Sequence, residues 1–263
     1  MKLAIVSDIH GNLPALEAVI ADIAREGVDA VLNLGDILSG PMQPEATAQR
    51  LMALGWPTIA GNHERQLLAA RRGGKPDPLN SDGFAAAEVS NATCAWLEAL
   101  PPTLLWGGEV WATHGRPGDD LQYGLETPIA GWSADGSPGL RPATEAELRA
   151  RWLGPSGPPP GATLALCGHS HVPRVMQLDG LTLLNPGSVG LPGFDDDHVQ
   201  RHVVENHAPH ARYALATRTA TGWRCALVAV PYGAAPQAAL ARRRGFPDWA
   251  RALETGRALT PWS

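Results

Sequence analysis

Cysteine is scarce in this 263-residue chain, and Cys94, Cys167 and Cys225 are far apart and odd in number. Each lies among apolar neighbours, which suits buried free thiols in a reducing compartment and argues against a disulfide framework or a thiolate metal site. No apolar run approaches the ~20 residues of a membrane-spanning helix. The N-terminal run Leu3-Ala4-Ile5-Val6 is cut short by Asp8 and His10, too early and too charged for a secretory signal core. A cytoplasmic location with no membrane partner is expected. Basic charge is limited too: 21 Lys and Arg stand against 26 Asp and Glu, a net charge of −5. A broad surface for duplex nucleic acid is therefore not expected.

Hydrophobic residues make up 44% of the chain and charged residues 18%, the balance of a globular protein with a substantial core. Glycine (29) and proline (24) are plentiful, and many fall in connecting stretches such as residues 154–161. One domain over residues 1–263 is expected, with 116–161 as a loop-rich insertion and 191–212 as a lid or mobile loop.

Lys2 to Ser7 reads as a buried strand that ends on a carboxylate, and Leu13, Leu16, Val19, Ile20 and Ile23 recur at helical spacing. Asp29–Leu34 and Pro57–Ala60 read as further strands, with a helix over Pro44–Leu54 between them. This alternation marks a parallel α/β sheet, whose ligands gather beyond the carboxyl ends of strands. Helices are expected over Glu64–Arg72, Asp82–Leu100 and Ala143–Leu153. The later part is strand-rich: Gly107-Gly108, Asp179-Gly180 and Thr221-Gly222 each separate two short apolar runs, the pattern of hairpins. Thr163–Cys167 is one more strand, and the tail is helical over Ala235–Arg244 and Pro247–Leu253. The two halves are expected to form two packed sheets.

Five short segments hold the chemistry: Asp8-Ile9-His10, Gly35-Asp36, Gly61-Asn62-His63-Glu64, His114-Gly115 and Gly168-His169-Ser170-His171. Five of the nine histidines fall inside them, and each segment follows an expected strand. Asp8, His10, Asp36 and His171 could hold one metal ion, and Asp36, Asn62, His114 and His169 a second. Asp36 would bridge the two. Imidazole and carboxylate without thiolate suits Mn, Fe, Zn, Co or Ni, with Mn favoured, over an oxygen-only Ca or Mg cage. Two such ions about 3.5–4 Å apart can turn water into a metal-bridging hydroxide and clamp a phosphoryl group. His63, beside Asn62 and outside the ligand set, is placed to protonate a leaving oxygen. Asn12 and Arg116 adjoin the motifs and are candidate substrate contacts, with helix capping and a solvated loop charge as their competing roles.

This ordered set of motifs resembles that of the calcineurin-like metallophosphoesterases. Asp8-Ile9-His10-Gly11-Asn12 and Asn185-Pro186-Gly187-Ser188 make the likeness closest to small bacterial phosphoesterases. The resemblance implies a four-layer α/β/β/α sandwich of two mixed sheets flanked by helices, and hydrolysis of phosphomonoesters or phosphodiesters through two divalent ions. It implies the same metal grouping as above, and it puts His63 in the leaving-group role. A small phosphoester or nucleotide is the expected substrate. The competing expectations are a serine/threonine-type protein phosphatase and a non-catalytic scaffold of the same fold. The tract Asp195-Asp196-Asp197-His198, with His202, His207 and His210, reads as a mobile solvated loop before it reads as a second metal site.

Overall fold

The computed structural model describes residues 1–74, 76–133 and 136–259. In chain order the elements begin β1 (Lys2–Val6), α1 (Leu13–Ile23), β2 (Ala30–Asn33), α2 (Pro44–Leu54), α3 (Asn62–Arg72), α4 (Ser81–Glu88) and α5 (Asn91–Glu98). Next come β3 (Thr103–Trp106), β4 (Val110–Thr113), β5 (Glu126–Pro128), β6 (Leu140–Pro142), α6 (Glu145–Trp152) and β7 (Leu164–Leu166). The chain continues through β8 (Arg174–Leu178), β9 (Leu181–Asn185), β10 (Gly193–Asp196), β11 (His202–Glu205), β12 (Ala211–Thr219) and β13 (Gly222–Val230). It closes with α7 (Ala235–Arg243) and α8 (Pro247–Thr255). No helix of the described residues is long and apolar enough to cross a membrane.

One sheet has the order β13-β12-β1-β2 and the other β3-β4-β7-β9-β8. β1 and β2 run parallel, as do β4, β7 and β9, while the remaining neighbours are antiparallel. Alternation along each strand builds the layers, because successive side chains leave opposite faces. Leu3 and Ile5 of β1 join Leu164 and Leu166 of β7 between the sheets. Ala4 and Val6 face the other way, against Leu16 and Val19 of α1 and Leu51 of α2. On the far side of the second sheet, Trp111, Leu183 and Leu178 pack on Leu148 and Trp152 of α6. The result is the expected helix–sheet–sheet–helix sandwich.

Three details depart from the sequence expectations. The strand over Pro57–Ala60 shrinks to a single parallel bridge between Asn33 and Thr58. Pro57 has no N–H to give, and the Ala60 N–H turns away to the Pro101 carbonyl. The long helix over 82–100 is two helices, because the Ser90 side chain accepts from Thr93 N–H and starts α5 afresh. Residues 191–212, expected as a lid or mobile loop, contain the antiparallel hairpin β10–β11, with Asp195 opposite Val203 and Asp196 opposite His202. The insertion likewise holds the small β5–β6 hairpin beside its helix.

Candidate metal centre

The candidate ligands sit where strands stop and the chain turns sharply. Asp8, His10, Asp36, His169 and His171 all have positive φ, from 52° to 65°. They are five of the eight non-glycine residues in that region among the described residues. Such backbone costs of order 1 kcal/mol or more per residue, so its concentration here marks a place where geometry has been favoured over stability. Cross-links between turns hold it: Asp8 N–H donates to Gly35 O, His10 N–H to Asp36 O, Gly168 N–H to His114 O, and Gly190 N–H to Asp8 O. The neighbouring glycines matter at two points. A Cβ on Gly61 would strike Asp36 Oδ1, and one on Gly168 would strike Ser7 Oγ.

The side chains converge in two groups, each with its donor atoms within 4.8 Å of one another: Asp8, His10 and His171, then Asp36, His114 and His169. Nearly all are buried, with exposures of 0% for Asp8, 1% for Asp36 and His114, 2% for His10 and 3% for Asn62 and His171. His10 Nδ1 lies 2.8 Å from Ser39 O, His114 Nδ1 2.8 Å from Leu34 O, and His171 Nδ1 2.7 Å from Leu191 O. A carbonyl can only accept, so each Nδ1 carries the proton and each Nε2 turns inward. Backbone partners of this kind set the tautomer and orientation of metal-binding histidines.

Several donor atoms of the two groups lack a partner. His10 Nε2 and His171 Nε2 approach to 3.2 Å, and with both Nδ1 protons committed their lone pairs face each other. His114 Nε2 comes within 2.9 Å of Asp36 Oδ2 yet has no partner in hydrogen-bonding geometry. Asn62 donates Nδ2 to Gln66 Oε1 at 2.9 Å and leaves its buried Oδ1 without a partner. Burial and the neighbouring His171 push the His10 imidazole down to about 3, keeping it neutral; burial and His114 do the same to His169, at about 4. Burial also disfavours charge on His114, but the adjoining Asp36 carboxylate outweighs it and lifts that imidazole to about 10.

His63 is a quarter exposed, at the rim, and its Nδ1 is 2.8 Å from Asp82 Oδ1. Burial opposes its charge, but Asp36 first and then the Asp82 hydrogen bond raise its pKa to about 9. In the metal-free protein this favours the imidazolium, which a carboxylate orients. Its backbone N–H donates to Asp36 Oδ1 at 3.0 Å.

Glu64, quoted in the motif and given no role from sequence, ties the cradle together. Its carboxylate accepts from Asp36 N–H, Ile37 N–H and Gly61 N–H at 2.7–2.8 Å while 1% exposed. In Glu64→Gln one oxygen becomes an NH₂ facing a backbone donor. Urea unfolding should show a loss of about 2 kcal/mol or more, from an unmet buried donor; an unchanged midpoint would remove this role.

Asn12 is engaged elsewhere. It caps α1 through Oδ1 and donates Nδ2 to Gly190 O and Tyr232 Oη, both at 2.9 Å. Arg116 pairs with Asp119 at 3.2 Å. Neither lines the cavity over the cradle, so the geometry favours the capping and loop-charge roles over substrate contact. Asn185-Pro186-Gly187-Ser188 acts as a brace: Ser188 Oγ donates to Asp8 O, and Asn185 Nδ2 to Gly168 O. Sequence reasoning missed Asp82, Tyr123 and Glu126. The Tyr123 ring lies 5.1 Å from that of His169, tilted by 53°, and its hydroxyl is 2.7 Å from His202 Nε2. Glu126, 1% exposed, accepts from Ser170 Oγ and from Arg174 Nε at 2.6 Å each. No local motif announces any of the three. His202 is buried within its hairpin, whereas His198 lies exposed at the cavity mouth.

Comparison with known proteins adds to this geometry. Residues 1–207 match the family model described as the calcineurin-like phosphoesterase superfamily domain. An uncharacterized protein of Methanocaldococcus jannaschii is 29% identical over 123 residues, 44% of this chain and 49% of that protein. The phosphodiesterase YfcE of Escherichia coli K12 is 40% identical over 68 residues, 23% of this chain and 37% of its own length. The matches thus span about half or less of these curated relatives. A metallophosphoesterase structure from Sphaerobacter thermophilus has a TM-score of 0.69 at 23% identity, covering 97% of this chain and 100% of that one. A hypothetical protein from Pyrococcus horikoshii OT3 also gives 0.69, at 17% identity, covering 97% and 98%. At these identities the structures share the fold.

Proposed function

This chain belongs to the calcineurin-like phosphoesterase superfamily, and from that premise we propose that it is a two-metal hydrolase of small phosphoesters, nucleotide esters among them. The observation that carries the proposal is the convergence of two buried His/Asp groups at the floor of one cavity of about 480 Å³. Asp8, His10 and His171 would hold one ion, and Asp36, Asn62, His114 and His169 the other, with Asp36 bridging. Mn²⁺ is the first candidate, and Fe, Zn, Co and Ni suit the same donors. When bound, such a pair acidifies water and takes up charge developing on the phosphoryl oxygens.

The rest falls to the chain's own groups. The carbonyls of Ser39, Leu34 and Leu191 hold three imidazoles with Nε2 inward. Gln66 turns the Asn62 amide so that its oxygen faces the cradle. Asp82 keeps His63 charged and aimed, and His63 gives its proton to the leaving oxygen as the ester P–O bond breaks. Water attacks phosphorus directly, and no side chain is consumed.

The modest size of the cavity, walled in part by β10 and α8, supports small esters over a phosphopeptide. The complete ligand set with His63 in place argues against a scaffold. Free Cys94, Cys167 and Cys225 support a cytoplasmic setting. Protein stripped with a chelator should cleave neither bis-p-nitrophenyl phosphate nor p-nitrophenyl phosphate, and Mn²⁺ should restore turnover. No cleavage of either ester with any of the five metals would overturn the reading.

A further inference from the structure

The cavity above the cradle has an acidic wall. Its described lining residues include no lysine or arginine, although the proposed substrate is an anion. Asp195 and Asp196 reach it from β10 and Asp248 from the first turn of α8. The charges acting on Asp195 are those of Asp248, Asp196 and Asp197, all of like sign, and together with burial they raise its carboxyl above the ordinary range. The other titratable groups lining the cavity are His198 on the same hairpin, His63 tied to Asp82, and the candidate ligands Asp36, His10, His169 and His171. Two aromatic rings stand beside the carboxylates: Phe194, 4.7 Å from the His171 ring, and Trp249, 5.6 Å from the His10 ring. On the floor, buried Asn62 presents its unpartnered Oδ1.

Charge decides what such a space admits. A phosphodiester carries one negative charge, which the cations of the floor would take. Any further anionic group would meet three carboxylates, a penalty on the order of tenfold per charge at such range. An organic cation would be drawn to the same carboxylates and to the aromatic rings beside them.

We infer that this cavity selects a phosphodiester whose alcohol bears an ammonium group, with the phosphate on the floor and the ammonium against Asp195, Asp196 and Asp248 beside Phe194 and Trp249. The inference rests on the hydrolase reading above and names the substrate class of that same site. Hydrolysis adds one water across an ester bond: its oxygen bonds to phosphorus, one of its protons is released, and the departing alcohol oxygen takes up a proton.

The test compares kcat/KM of the metal-loaded enzyme on three p-nitrophenyl diesters. One carries choline, one its neutral isostere 3,3-dimethylbutanol, and one a carboxylate-bearing alcohol. The choline ester should exceed the neutral one by roughly tenfold, and the carboxylate ester should fall below both. The choline preference should shrink toward one in Asp195→Asn/Asp196→Asn/Asp248→Asn. It should shrink in part in Asp248→Asn alone, a change at an exposed residue that leaves the hairpin intact. Equal kcat/KM for the choline and neutral esters, or a preference untouched in both variants, overturns the inference while the hydrolase reading stands. No cleavage of any of the three would overturn both.

Discussion

Asp36→Asn should bind at most one divalent ion and lose roughly a thousandfold or more in kcat, the equivalent of the several kcal/mol that a metal pair supplies to the transition state. The reason is local. Asp36 is 1% exposed, lies against His114, and is the carboxylate proposed to bridge the two ions. An amide keeps the shape, and its oxygen can still accept from His63 N–H, but it has no charge with which to hold two cations. The same substitution should also destabilise the metal-free protein at neutral pH: against the cost of burial, His114 and His63 hold the Asp36 carboxyl well below its usual range. Asp36 and Glu64 are buried near each other, and burial together with the Asp36 charge lifts the Glu64 carboxyl to about 7. Neutralising Asp36 removes that repulsion, but it also strips His114 and His63 of the charge that holds their protons. Metal analysis, turnover and melting with and without Mn²⁺ separate these effects. Two bound ions with full activity in Asp36→Asn would end the bridging assignment.

His63→Ala should keep both ions and lose about 10²–10⁴ in rate, the usual range for a positioned general acid. The loss should depend on the leaving group. Nitrophenolate departs readily without a proton, so its esters should suffer least, while alkyl esters with a poor leaving alcohol should suffer most. In the metal-free protein the imidazole holds its proton up to about pH 9, and two cations beside it would lower that value. Donation should therefore fail on the alkaline side of the profile and persist at lower pH. An equal loss for aryl and alkyl esters would make His63 a structural partner of Asp82 and not an acid.

Much of this was legible in the chain because its signals are local. Asp8-x-His10, Gly35-Asp36 and His169-x-His171 follow apolar runs whose period and length identify strands, and imidazole and carboxylate can do few things together. Hairpins at Gly107-Gly108, Asp179-Gly180 and Thr221-Gly222 were readable for the same reason: turn residues must adopt particular φ values. The β10–β11 hairpin was hidden because Asp195, Asp196 and His202 break the apolar alternation of a strand. That pairing depends on Val203 and Val204 finding a buried face elsewhere in the fold. Asp82 was unreadable as the partner of His63 because nineteen residues and a helix break separate them.

The residues alone thus carried the proposed reaction type, since donor chemistry is a property of side chains. Which atoms face inward was decided only by the tertiary structure, through carbonyls of Ser39, Leu34 and Leu191 that lie far along the chain from the imidazoles they hold. The acidic wall was settled there too. Asp195 and Asp248 are more than fifty residues apart, and only the packing of α8 against β10 puts their charges on one side of a cavity. Charge interactions depend on distance in space, and separation along a chain does not report it.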